Sequence, residues 1–153
     1  MARFGLLLSF QAPARFGVTP EQVYGESIDQ AELADELGYD SVWTTEHHFL
    51  EDAYLPSPLI ASAAIAARTR QIRIAQGILL LPLYTHPVRL AEDAAVVDVI
   101  SRGRLILGVG LGYREYEYAG LGLSMRQRRS LMEEGLEVVR RCWTEPEGFS
   151  HEG

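Results

Sequence analysis

Glu46, His47 and His48 stand together in TTEHHFLEDAYLPSP (residues 44–58), where the apolar run DSVWTT ends. Three adjacent titratable side chains at the end of a strand-like run can bind a metal, move a proton or simply meet water. Neighbouring strand residues point to opposite faces, so Glu46 and His48 should share a side, with His47 opposed unless the strand has already ended. This weighs against a metal. Two ligands from adjacent positions rarely converge, and no third His, Asp or Glu follows at ligand spacing. A histidine, which titrates near neutrality, suits a base, a proton donor or a hydrogen-bond donor to a bound ring. A solvated polar strand end remains open beside that reading.

Glycines form the second candidate group. GVGLGYREYEY (108–118) places Gly108, Gly110 and Gly112 at G-x-G-x-G spacing, followed by Tyr113. The pattern is not G-x-G-x-x-G, is not followed directly by a helix and lacks the lysine of a phosphate loop, so it is a weak dinucleotide signal. Such glycines either form a tight bend or let a large flat group approach the backbone. Gly77, inside AQGILLLP, likewise marks a bulge or a close approach. Together these glycines and the histidines outline a cavity at one end of a sheet. His86 precedes Pro87 at a helix start, where a cap or interface role fits better than catalysis. Cys142 falls among apolar helix neighbours and reads as a core thiol.

The elements that must position these residues alternate along the chain. Apolar runs at 3–10, 40–45, 72–81 and 104–110 read as strands. Helices are expected at 20–37, 57–69, 85–101 and 126–143. Thr19 and Pro20 form an N-cap and first position for the first helix, and Gly38 stops it. Ser57 and Pro58 open the second; Thr85 or His86 caps the third. Met132, Leu136, Val139 and Trp143 share one face of the fourth.

The order is βαβαβαβα, and the strands are continuous apolar runs, as in parallel sheets buried on both faces. With right-handed crossovers, this leaves a doubly wound open sheet or part of a (β/α)₈ barrel, of which four units are half. The uncharged helix within 57–67 must be covered on most sides. The third helix has two apolar faces, Val88, Ala91, Ala95 and Val99 on one and Leu90, Ala94 and Val97 on the other. The second face implies another partner, most simply another subunit.

Composition narrows the function classes. The chain has 153 residues and is 47% hydrophobic, enough to bury a core. A net charge of −7 without any basic run argues against nucleic-acid and anionic-membrane surfaces. One cysteine rules out an internal disulfide and suits a reducing cytoplasm. No run is long enough to span a membrane, and MARFGLLLSF does not read as a signal peptide.

Several segments, in this order, resemble the bacterial luciferase-like flavin-dependent monooxygenases: LSFQAP (8–13), ADELGYDSVWTTEHHF (34–49), LPLYTHPVRLAEDAAVVDVISRGRLILGVGLGY (81–113) and RSLMEEGLEVVRRCW (129–143). The resemblance implies a (β/α)₈ TIM barrel, with residues 1–153 a single partial domain covering about the first four βα units. It implies reduced FMN at the C-terminal face, O₂, an unknown small organic substrate and a flavin reductase as supplier. His47 takes the catalytic position. Glu46, Gly77, Ile78, Gly108 and Gly110 take cofactor-binding positions, with Gly77-Ile78 at the family's non-prolyl cis peptide. Glu46 and His48 support His47 or face a partner subunit. No metal is implied. A homodimer is implied through helices 57–68 and 86–101. Some relatives use a deazaflavin instead, which is the alternative cofactor.

The sequence also departs from the family. Gly110 stands where a luciferase carries a cysteine, and Leu111 where a basic residue contacts phosphate, which weighs against light emission. TEPEGFSHEG resembles the start of an insertion that the family continues, so half the barrel and its phosphate loops after strands seven and eight are expected to be missing. Three readings follow: part of an FMN monooxygenase, a deazaflavin oxidoreductase, or a non-catalytic half-barrel that binds or dimerises. Strands one and four should then be open edges.

Overall fold

The computed structural model describes residues 2–151. The last two residues of the insertion-like segment therefore lie outside the described residues. Four parallel strands run in sequence order, β1 (Gly5–Leu8), β2 (Ser41–Thr44), β3 (Arg73–Gln76) and β4 (Leu105–Ile106). Between them lie α1 (Pro20–Glu36), α2 (Pro58–Arg68) and α3 (Pro87–Ser101); α4 (Glu115–Gly120) and α5 (Arg128–Thr144) follow β4. The alternation is as expected, but every strand is shorter than its apolar run. Regular pairing ends at Gln76, and the rest of the third run turns through a 3₁₀ segment, Leu81–Leu83. The fourth run is interrupted, with Val109 rejoining the sheet by a single bridge to Leu79. α4 was not anticipated, and the last helix starts at Arg128 after a separate 3₁₀ turn.

Local chemistry explains the helix ends. The Thr19 hydroxyl accepts from the Gln22 N–H at 3.3 Å, and the Gln22 side chain accepts from the Thr19 N–H at 2.9 Å, a reciprocal capping box. Gly38 takes φ +77° just beyond α1, where a side chain would be strained. His86 caps α3, its Nδ1 accepting from the Val88 N–H at 3.2 Å.

The helices cover one face of the sheet. Leu6, Leu8, Val42 and Ile74 meet Ala31, Ala34, Ile65 and Ala66 of α1 and α2. Leu79, Leu81, Leu90, Ala94 and Val139 fill the space among α2, α3 and α5, with Cys142 half-buried against them. The other face corrects the expectation of strands buried on both sides. Leu7, Trp43, Ala75 and Ile106 share one row across the sheet, and Leu7 is 62% exposed. Ala75 within this row is buried and Trp43 half-buried, so the opening lies at Leu7 and Ile106 on the edge strands, which a barrel closes with strands from its other half.

The faces of α3 are also divided differently. Ala91 is buried with Leu90, Ala94 and Val97, while Ala95, Val96, Val99 and Ile100 are exposed. On α2, Ile60 is exposed despite the uncharged sequence around it. The floor of the sheet is held by Arg104, whose guanidinium donates to the carbonyls of Ala66, Thr69 and Ile72 and to the Thr69 hydroxyl. It thereby caps the C-terminal end of α2.

Candidate active site

β2 ends at Thr44, so Glu46, His47 and His48 lie in a loop, free of strand alternation. That loop is tied at several points. The His47 N–H donates to the Leu55 carbonyl at 3.1 Å. Asp52 accepts from the Gln11 amide at 2.8 Å, and Tyr24 donates to the Ala53 carbonyl at 3.0 Å. The Phe49 ring fills the space above Gly120 in α4, where a Cβ would come within 2.4 Å of it.

The two histidines use different ring nitrogens and different glutamates. His48 Nε2 lies 2.8 Å from Glu46 Oε1, and the other Glu46 oxygen accepts from the Leu80 N–H at 2.8 Å. Both Glu46 oxygens are thus engaged within the protein, joining the loop after β2 to the turn after β3. The hydrogen bond to Glu46 raises the His48 pKa above its ordinary 6.5 against the opposing effect of burial, with help from the charges of Glu46 and Glu117. His47 instead places Nδ1 2.8 Å from Glu117 Oε1. The same oxygen accepts from the His48 N–H at 3.0 Å. Glu117 is 1% exposed, and its Oε2 has no hydrogen-bond partner among the described residues. The Arg114 guanidinium is 4.0 Å from Oε1.

The far side of His47 is aromatic. Tyr54 and Tyr113 meet its ring edge to face, at centroid distances of 4.8 and 5.8 Å. Nε2 has only a long 3.5 Å approach to the hydroxyl of Tyr113, a residue 69% exposed. His47 therefore has one nitrogen fixed by a buried acid and one available for chemistry.

Gly77 and Ile78 follow the adjacent strand, joined by a cis peptide bond, and the Gly77 N–H donates to the Thr44 carbonyl at 2.7 Å. Ile78 is 42% exposed. The glycines create space, but protein fills it. A Cβ on Gly77 would lie 2.9 Å from the Trp43 ring, one on Gly108 only 2.1 Å from the Gln76 carbonyl oxygen, and one on Gly110 within 1.8 Å of Ile78 Cδ1. On the side of the missing Cβ, these positions are thus occupied by protein. They let neighbouring strand ends approach each other and seat the Ile78 side chain.

His47, Ile78 and the glycine loop thus gather at the C-terminal ends of β2, β3 and β4, where parallel α/β proteins place their ligands. His86 serves as a helix cap, apart from this group. Among the described residues, no three His, Cys, Asp or Glu side chains are arranged to hold a metal ion. Sequence reasoning missed Glu117, Tyr54 and the short helix carrying Glu117. The available signal was REYEYAG directly after the glycines, a short acidic and aromatic stretch with a glutamate between two tyrosines.

The comparisons agree with this geometry. The profile of the family described as luciferase-like monooxygenase matches residues 2–153. The structure of the monooxygenase RslO1 from Streptomyces bottropensis superposes with a TM-score of 0.90 at 40% identity, over 99% of this chain and 46% of that one. The FMN-bound oxygenating constituent of 3,6-diketocamphane monooxygenase from Pseudomonas putida also gives 0.90, at 29% identity, over 100% of this chain and 42% of its own. The oxygenase component of a flavin-dependent trigonelline monooxygenase from Acinetobacter baylyi is 32% identical over 82% of this chain and 35% of that protein. The chain thus spans less than half the length of each of these relatives. Its four parallel βα units are those of a TIM-barrel monooxygenase, and the chain belongs to the luciferase-like monooxygenase family.

Proposed function

We propose that residues 1–153 form one partial domain, the N-terminal half of the barrel of an FMN-dependent monooxygenase. The enzyme would act with reduced FMN and O₂ on a small organic substrate, with His47 as the catalytic residue. One observation carries this reading: His47 sits at the C-terminal mouth of the sheet with Nε2 free of any close partner.

The residues present fit the ring of a flavin. Ile78 and Leu111 give exposed apolar surface, Tyr113 an exposed aromatic one, and His47 a hydrogen-bonding nitrogen. They do not provide a phosphate grip, which in such barrels comes from loops after strands seven and eight. Bound flavin would supply the activation of O₂. This chain's part is to orient the ring, exclude water and accept or donate a proton at His47 Nε2. Ile78 contacts the ring in this reading. Gly77, Gly108 and Gly110 fix where Ile78 stands, and Glu46 acts through His48 and the turn after β3.

FMN is favoured over a deazaflavin because two relatives named above are described as FMN-bound and as flavin-dependent. The oxygenase component among them implies a separate reductase as partner. We further propose a homodimer through helices 57–68 and 86–101, where Ile60, Val96, Val99 and Ile100 are exposed and Ile60 and Val96 line the groove that holds Glu46 and His48, and a cytoplasmic setting suited to the single free thiol. A non-catalytic half-barrel is the competing reading. Flavin-fluorescence titration tests the missing phosphate grip at the level of the 153-residue chain, which is expected to bind FMN more weakly than micromolar. Micromolar binding would overturn the split between ring and phosphate. In a protein with the whole barrel, His47→Ala should keep FMN bound and abolish oxygenation; retained turnover would remove His47 from its role.

A further inference from the structure

We propose that Glu117 is the positioning residue of His47: it fixes the ring as the tautomer protonated on Nδ1 and leaves Nε2 bare. The inference deepens the reading of His47 given above and rests on it for the use to which Nε2 is put, but not for the tautomer itself.

Three observations converge. The His48 backbone N–H can only donate, and it donates to Glu117 Oε1, so that oxygen is already an acceptor. His47 Nδ1 approaches the same atom at 2.8 Å, a charge-assisted distance. A carboxylate holds a proton less tightly than an imidazole, so the shared hydrogen belongs to the ring. Free imidazole has no such constraint and exchanges its proton between the two nitrogens.

The surroundings give Nε2 no competing fixed partner. Tyr54 and Tyr113 pack edge-on against the ring, and the Tyr113 hydroxyl is 3.5 Å from Nε2. The other charged groups nearby pair with atoms other than Nε2, Arg114 also lying 4.0 Å from Glu117 Oε1. Glu46 is taken by His48 and Leu80, and Arg114 donates to the Tyr116 hydroxyl at 2.8 Å. Glu117 Oε2 is buried and has no hydrogen-bond partner among the described residues, so the carboxylate's side-chain contact to a ring is made through Oε1 alone. Glu117 would thus orient the ring. Because it also holds the His48 backbone, it ties the whole E-H-H segment to α4.

Nitrogen-detected NMR of the ¹⁵N-histidine-labelled protein tests this directly, with His47 assigned by the loss of its signal in His47→Asn. The wild type should show His47 Nδ1 protonated and Nε2 bare. Glu117→Gln retains an acceptor and should keep that tautomer. Glu117→Leu should lower its preference by about tenfold, the worth of one charge-assisted hydrogen bond. A wild-type His47 protonated on Nε2 would overturn the proposal, as would an unchanged tautomer in a folded Glu117→Leu protein. The wild-type spectrum decides the matter even if Glu117→Leu does not fold. The tautomer readout needs neither flavin nor turnover. A bare Nε2 together with full oxygenation by His47→Ala would therefore defeat the proposed function and leave this inference standing.

Discussion

At the scale of residues, two neighbouring histidines pair through opposite ring nitrogens. His48 is held by Nε2 to Glu46 and is biased toward its charged form, whereas His47 is held by Nδ1 to Glu117. The raised His48 pKa has a definite consequence for stability. The native state binds that proton more tightly than the unfolded chain, so the contribution is fully present below the ordinary value of 6.5. It is lost as pH rises through the higher folded value. The melting-temperature difference between wild type and His48→Gln should therefore be larger at about pH 6 than at about pH 8. A difference that stays constant between the two would contradict the assignment. The E-H-H stretch was legible in the sequence because it follows a strand in a parallel pattern, and the family resemblance singled out His47 within it. Its partner was not. Glu117 lies 70 residues away on a six-residue helix, and no local periodicity distinguishes a buried glutamate there from the solvated Glu115 beside it.

Elements show where composition and contact diverge. Gly25 and Gly108 look alike in sequence, yet their surroundings are opposite. Gly25 lies in the interior of α1 with nothing near its missing Cβ, so Gly25→Ala should stabilise by about 0.5–1 kcal/mol. Gly108 faces the Gln76 carbonyl oxygen at a distance no Cβ can occupy, so Gly108→Ala should destabilise by about 1–3 kcal/mol. Chemical denaturation of both variants checks the pair, and equal effects would sink the distinction. Arg104 predicts a third change. Arg104→Met strands the carbonyls at the end of α2 and should cost about 1.5–3 kcal/mol by the same measurement. The helix cap at Thr19, and that of α3 to within Thr85 or His86, could be read in advance because capping is local chemistry. The strand lengths could not, because an apolar run looks the same whether it continues a ladder or turns into a 3₁₀ segment, as it does after Gln76.

At the scale of the whole molecule, one sheet face is covered and the other is open at its edge strands. The apolar character of Leu7 and Ile106 marks residues built for contact, but a sequence does not say which part of a barrel supplies the contact. For the 153-residue chain, Leu7→Thr should leave stability within about 0.5 kcal/mol, since the side chain is already mostly in water. It should also lower concentration-dependent light scattering, by removing apolar surface from the open face. Unchanged scattering would mean that association runs through another surface. The strand order carries a consequence in time as well as in space. Each strand pairs only with the one before it in the chain, so no pairing within these units has to wait for a later one. During synthesis the sheet can therefore grow unit by unit as the polypeptide emerges. The contact between His47 and Glu117 cannot, because it exists only after α4 has been made and has docked. A nascent chain that ends before that helix has its histidine in place but unpaired, so the His47–Glu117 pairing is among the later things these four units acquire.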